Sequence, residues 1–230
     1  MRATHVPSPG TVVVKQWPDP EATQDGEFVV KMVAASVCGS DLHSVLHGTL
    51  HPRGPELPGY PGHEGVGVVT ESRSEKFPEG TAVLCLAPGE LGGAFAEYML
   101  LDEDHAVALP PEVDPTDLTE MRRYLMAQQM GTCIYAMNLY WPTEVPPRRA
   151  GTCVVMGAGS AGLFFLQDAL RRGFEQVIVS DKEESRLEIA RQLGARTVHV
   201  PHEELTAVVS EATGNTLSLI HISEPTRRRG

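Results

Sequence analysis

With 230 residues, 41% hydrophobic and 21% charged, the chain has the composition of one large soluble domain or two modest ones. Its 30 acidic residues outnumber 19 basic ones, and the net charge of −11 repels phosphate backbones, which excludes nucleic acid as a partner. No apolar run approaches the roughly 18–20 residues needed to cross a bilayer. Met1 to Lys15 lacks the apolar core of a signal peptide, and Cys38, Cys85, Cys133 and Cys153 show no CxxC pairing. Reduced thiols or metal ligands in a cytoplasmic protein are therefore expected, with no membrane partner.

Taken in chain order, the first half is a series of short β-branched runs broken by Gly and Pro. Strands are predicted at Thr11–Val14, Phe28–Ala34, Val66–Thr70, Ala82–Leu86 and Phe95–Leu101, separated by turns such as Pro58-Gly59 and Glu79-Gly80. Such spacing suggests an all-β barrel or sandwich. From Pro115 to Asn138, Leu118, Met121, Leu125, Gln128 and Gln129 recur at helical intervals and predict one or two helices. Three prolines between Trp141 and Arg149 read as a boundary, placed at 146/147.

From Gly151 the pattern alternates between strand and helix. Cys153–Met156, Val177–Val179 and Arg196–Val200 are expected strands. The intervening helices carry Leu163, Leu166 and Leu170, then Leu187, Ala190 and Leu193, and a third helix spans Glu203–Glu211. Gly173 and Gly194 are expected to stop the first two. The stretch from Leu217 to Arg227 fits neither this pattern nor an expected next strand. It resembles the translation of a DNA-library transposon-adapter sequence, with a disordered basic tail as the alternative, so 217–230 is read as non-native. An intact gene encoding this tail across codon 217 would remove that reading.

A GxGxxG motif is a weak signal alone, but at Gly157-Ala158-Gly159-Ser160-Ala161-Gly162 three conditions coincide. The motif follows a strand, it opens a helix, and Asp181 lies 19 positions beyond Gly162 at the end of the next strand. Gly157 allows the turn, Gly159 lets a pyrophosphate approach, and Gly162 permits close helix–strand packing. The helix start, with Ser160 and Ala161, offers unpaired N–H groups to the diphosphate. Asp181 can accept from the adenosine ribose hydroxyls and repels a 2′-phosphate, so NAD is favoured over NADP, and Lys182 beside it weakens that preference.

In the β-rich half two segments stand out, Val37-Cys38-Gly39-Ser40-Asp41-Leu42-His43 and Pro61-Gly62-His63-Glu64-Gly65-Val66-Gly67. Singly, Cys38 reads as a buried apolar thiol and His63 as a satisfied core histidine. Together they offer a thiolate, an imidazole and a carboxylate, a ligand set that suits zinc. CGSDLH, PGHEGVGVV, AEY and GAGSAG with its downstream acid, in this order over about residues 8 to 213, resemble the zinc-containing medium-chain alcohol and polyol dehydrogenases.

The resemblance implies a GroES-like β-barrel catalytic domain with linking helices over 1–146, followed by the first half of a Rossmann NAD-binding domain over 147–216. It implies that Cys38 and His63 bind one catalytic zinc, with Glu64 an alternative or additional ligand. Ser40 then matches a proton-relay hydroxyl, His43 its solvent-side base, and Asp41 a residue that orients a ligand histidine. The family's third ligand position falls on Gln128, where many members have Cys or Glu, and Cys133 is the competitor. The four clustered cysteines of a structural zinc lobe are absent, so at most one zinc is expected. Hydride passes between an alcohol, polyol or sugar and the nicotinamide.

The resemblance also implies a C-terminally truncated chain with three Rossmann strands, an uncovered apolar sheet edge and poor folding or activity alone, whose full-length parent is a homo-oligomer. Rival readings are a zinc-free NADPH quinone or enoyl reductase, a non-catalytic nucleotide-binding module, and a fragment without function. His47, His51, Arg53 and Glu56 are pocket-lining candidates, with a solvated loop as the plainer reading.

Overall fold

The structure, a computed structural model, describes residues 1–48, 57–86, 92–142, 151–200, 202–215 and, as backbone, 219–222. It consists of two units, Met1–Gln128 and Gln129–Gly230. The expected boundary at 146/147, His51, Arg53, Glu56 and residues 223–230 lie outside the described residues.

In the first unit, β1 (Arg2–Ser8) and β2 (Thr11–Gln16) form an antiparallel hairpin. A five-stranded antiparallel sheet comprises β3 (Phe28–Ser36), β4 (Glu64–Ser72), β5 (Ala82–Leu86), β6 (Tyr98–Leu101) and β7 (Ala106–Ala108), in the order β6-β3-β4-β5-β7. Among the described residues the sheet is open, so the expected closed barrel is corrected to a sheet plus a hairpin joined by one bridge between Ala3 and Ala96. The period of two along the strands explains the packing. Val83 and Cys85 face one core with Phe28, Val30, Val69, Phe77 and Met99, whereas Leu84 and Val66 face another with Val113, Met121 and Leu125. Burying both faces stabilises the sheet by about 1.5–3 kcal/mol per large apolar side chain.

Three local differences from expectation have local reasons. β1 and β7 are additional to the expected strands: polar residues hide the alternation in β1, and β7 is only three residues long. The strand expected from Phe95 begins only at Tyr98: Gly93 and Ala94 donate their N–H groups to the Gly62 carbonyl instead, at 2.7 and 2.9 Å. The residues after Cys38 form helix α1 (Gly39–His47). The Asp41 carboxylate at its third position accepts the Cys38 N–H at 2.8 Å, satisfying a donor left orphaned at the helix start.

Helix α2 (Leu118–Tyr140) is one continuous element of 23 residues. Met121 and Leu125 pack in the first unit, Cys133 and Met137 in the second. The second unit is a parallel sheet of β8 (Thr152–Met156), β9 (Gln176–Asp181), β10 (Arg196–His199) and β11 (Leu219–Ile222), in the order β10-β9-β8-β11. Helices α3 (Ser160–Arg171), α4 (Glu184–Gln192) and α5 (Leu205–Thr213) connect them. The continuous apolar runs of β8 and β9 are buried on both faces, as parallel strands require. Val155, Val177 and Val179 meet Leu166 and Leu187 on one side, while Val154, Ile178 and Val198 meet α5 on the other.

The fourth strand is a correction. Leu219–Ile222, expected to fit no strand, pairs in parallel with Cys153–Met156 and covers the sheet edge expected to be bare. A run of Leu-Ile-His-Ile has the β-branched apolar character a strand edge accepts, whatever the origin of its codons.

Candidate metal and cofactor sites

Cys38 and His63 are 25 positions apart in the chain and reach one place because β3 and β4 are hydrogen-bonded neighbours. Ser36 at the end of β3 pairs with Glu64 at the start of β4, so Cys38 and His63, just beyond, emerge side by side. Close packing fixes the second approach: a Cβ on Gly62 would lie 2.6 Å from the Phe95 ring, so only glycine fits beside His63.

The ligand atoms of Cys38, His63 and Glu64 lie within 4.8 Å of one another. That spacing brackets a single ion with bonds of about 2.0–2.3 Å to such donors. Asp41, 2% exposed, organises two of the three. One of its oxygens accepts the Cys38 N–H, and the other lies 2.9 Å from His63 Nδ1. With Nδ1 so held, Nε2 is the imidazole atom left to ligate, and it lies 3.5 Å from Ser40 Oγ. Glu64, 6% exposed, accepts a short hydrogen bond from the Ser36 hydroxyl.

Electrostatics point the same way. Hydrogen bonding first to Asp41 and then to Cys38 pushes His63 up to about 10, overcoming the opposing effect of burial. The Cys38 thiol is lowered, chiefly by His63 and against its own desolvation, with help from Ser40. Two groups that can carry negative charge, Asp41 and Cys38, thus favour a proton on the His63 imidazole. A divalent cation can take that proton's place, and the thiolate–imidazole–carboxylate set fits zinc.

The other predicted residues are placed as follows. Ser40 and His43 are exposed on α1, and the His43 ring lies 4.9 Å from that of His47. Gln128 is half-buried on α2. Cys133 sits in the apolar core of the second unit with its Sγ 3.7 Å from the Ala161 carbonyl, and desolvation pushes its thiol up to about 11.

In the second unit, the turn from β8 into α3 has an open mouth. Gly157 adopts φ 103°, a region costly for any side chain. Gly159 caps α3 with φ −71°, which any residue adopts, and a Cβ there would meet nothing within 4 Å. The space above the helix start is therefore open, where orphan N–H groups can bind an anion. Asp181 closes β9 and is more committed than its sequence position suggested. It accepts from the Ala158 N–H at 2.7 Å and from the Glu183 N–H at 2.8 Å, with Arg186 3.8 Å away. A carboxylate has about four lone-pair sites, so two remain for further donors. Lys182 is exposed beside it, and its carbonyl lies 3.0 Å from His199 Nε2.

Comparison with known proteins agrees with this organisation. Residues 24–111 match the alcohol dehydrogenase GroES-like domain. The chain is 27% identical over 222 residues to a sorbitol dehydrogenase of Bacillus subtilis, covering 85% of this chain and 60% of that protein. Its relatives include alcohol, sorbitol and threonine dehydrogenases. Another relative, a zinc-type alcohol dehydrogenase B of Aspergillus flavus, is 31% identical over 223 residues, 85% of this chain and 50% of its own length. The fold is also that of the alcohol dehydrogenase from Aeropyrum pernix, with TM-score 0.78 and 22% identity over 96% of this chain and 71% of that one. The chain thus spans three-fifths or less of these two curated relatives. Among the described residues no helix is long and apolar enough to cross a membrane.

Proposed function

We propose that this protein is a zinc-dependent, NAD-linked dehydrogenase acting on an alcohol, polyol or sugar hydroxyl. The observation that carries the reading is the convergence of Cys38, His63 and Glu64, with the buried Asp41 carboxylate 2.9 Å from His63 Nδ1. Zinc-type alcohol and sorbitol dehydrogenases among its relatives support both the metal and the substrate class.

Cys38 and His63 hold the metal in this reading, Glu64 is an exchangeable or additional ligand, and Gln128 occupies the remaining protein position. Asp41 orients the ligand histidine, the arrangement common around zinc. Bound zinc supplies Lewis acidity that makes a substrate hydroxyl easier to deprotonate, and the nicotinamide supplies the hydride acceptor. Ser40 takes the substrate proton and passes it on, and exposed His43 receives it toward solvent. Gly157, Gly159, Ser160, Ala161 and Gly162 cradle the diphosphate at the α3 start. Asp181 binds the adenosine ribose and favours NAD, with Lys182 at the rim. The catalytic part is assigned to 1–146, the cofactor part to 147–216, and the protein is a homo-oligomer.

Zinc content and NADH absorbance, measured over a panel of alcohols, polyols and sugars, test this reading. Cys38→Ser is expected to abolish both metal retention and turnover. Turnover that survives with the metal gone, or NADPH-linked quinone reduction by metal-free protein, would overturn it.

A further inference from the structure

Outside the Cys38 cluster, two pairs of histidines stand ring to ring, and they differ in what their nitrogens do. His199 and His202 have centroids 4.8 Å apart. His199 is already committed: Nε2 lies 3.0 Å from the Lys182 carbonyl and Nδ1 3.2 Å from a Glu184 carboxylate oxygen. His43 and His47 lie one turn apart on α1, both exposed, with centroids 4.9 Å apart and ring planes at 46°. Among the described residues no hydrogen bond to either of these rings is formed.

We propose that His43 and His47 form a second cation site, a surface chelate for a borderline transition-metal ion such as Zn2+, Ni2+ or Cu2+, completed by water. Residues four apart lie on the same helix face, and a histidine pair at this spacing is a recurrent way for one helix to grip zinc. Two imidazoles bonded to one ion at about 2.0–2.1 Å, with right to tetrahedral angles between the bonds, have ring centroids roughly 4.5–5.2 Å apart. The observed 4.9 Å falls within that window without rearrangement of the helix. His47 is in the last turn of α1, where orphan carbonyls carry partial negative charge and favour a cation. Imidazole selects these metals over Mg2+ and Ca2+, which require oxygen ligands.

The consequence for catalysis rests on the relay reading given above. A metal bound to His43 occupies the lone pair that reading uses to accept the substrate proton. Excess metal therefore slows turnover through a site separate from the one that activates substrate.

The whole chain, loaded with one equivalent of zinc whose retention is verified by metal analysis, is titrated with Ni2+ by calorimetry at neutral pH. One further equivalent is expected to bind, and His47→Gln and His43→Gln should each weaken it by about tenfold or more, the loss of a second tethered ligand. His202→Gln should leave it unchanged. A Ni2+ affinity untouched by His47→Gln overturns the site. Independently of any variant, Cu2+ bound to the zinc-loaded wild type should show two imidazole nitrogens by electron paramagnetic resonance, and one or none overturns it equally. Slowing of turnover by Ni2+ that disappears in His47→Gln supports the catalytic consequence. Binding without slowing leaves the chelate standing and removes His43 from the relay.

Discussion

The Cys38–His63–Glu64 cluster and the glycine turn, the two candidate sites for a charged group, are built in opposite ways. Cys38, His63 and Glu64 are drawn from two segments, locked by a buried carboxylate, and their charges are concentrated in side chains. The Gly157–Gly162 turn is one contiguous stretch that works through its backbone, with open space where a side chain would otherwise stand. A site built from tertiary contacts fails when one supporting partner is removed. A site built from local backbone fails only when its dihedral angles or its open space are disturbed.

Asp41→Asn is the sharpest way to break the first half of this contrast. The change keeps size and leaves an acceptor for only one of the two donors, Cys38 N–H and His63 Nδ1. Zinc affinity is expected to fall about 10–100-fold, the usual loss when an outer-shell carboxylate is removed. Competition with a chromophoric chelator measures it, and unchanged affinity would mean the cluster does not depend on its buttress.

Gly157→Ala and Gly159→Ala sharpen the second half. At φ 103° an alanine is strained, so Gly157→Ala should destabilise folding by about 1–3 kcal/mol in urea denaturation. Gly159→Ala meets no atom and no strain. Its stability should stay within about 1 kcal/mol, the range for an N-cap change, while NAD binding followed by fluorescence weakens. Equal effects on folding and binding from the two changes would erase the distinction drawn between them.

Asp181→Asn is expected to have the smallest effect. The amide oxygen still accepts one backbone N–H, but the charge is gone, and with it the repulsion of a 2′-phosphate. NADP should gain relative to NAD by severalfold, read from the ratio of their dissociation constants. An unchanged ratio would assign Asp181 to holding Ala158 and Glu183 in place and nothing more.

The second unit was the more legible in the sequence, because its signals are local. Buried runs such as Val154-Val155, helix faces through Leu166 and Leu170, and the glycine motif each report on their own neighbourhood. The strand at Leu219–Ile222 is not legible there, because the stretch from Leu217 to Arg227 does not continue the strand–helix alternation and the pairing with Cys153–Met156 is a tertiary contact. In the first unit the strands were readable but their closure was not: whether a set of strands forms a barrel or an open sheet depends on pairings that no single segment encodes. Helix α1 was likewise hidden, since Cys38 is a poor cap by residue type and Asp41 supplies the capping contact from three residues away.

By itself, then, the sequence determined the residue types and spacings: a thiol, an imidazole and a carboxylate in two short segments, and a glycine turn followed by an acid. Only the tertiary structure decided that Cys38, His63 and Glu64 share one place, that Asp41 is the group that fixes them, and that Asp181 has half its acceptor capacity already used. The physical reason is that a glycine turn is specified by dihedral angles within one stretch of chain. A metal cluster is specified by the register between strands β3 and β4, which is settled only when both faces of their sheet are buried.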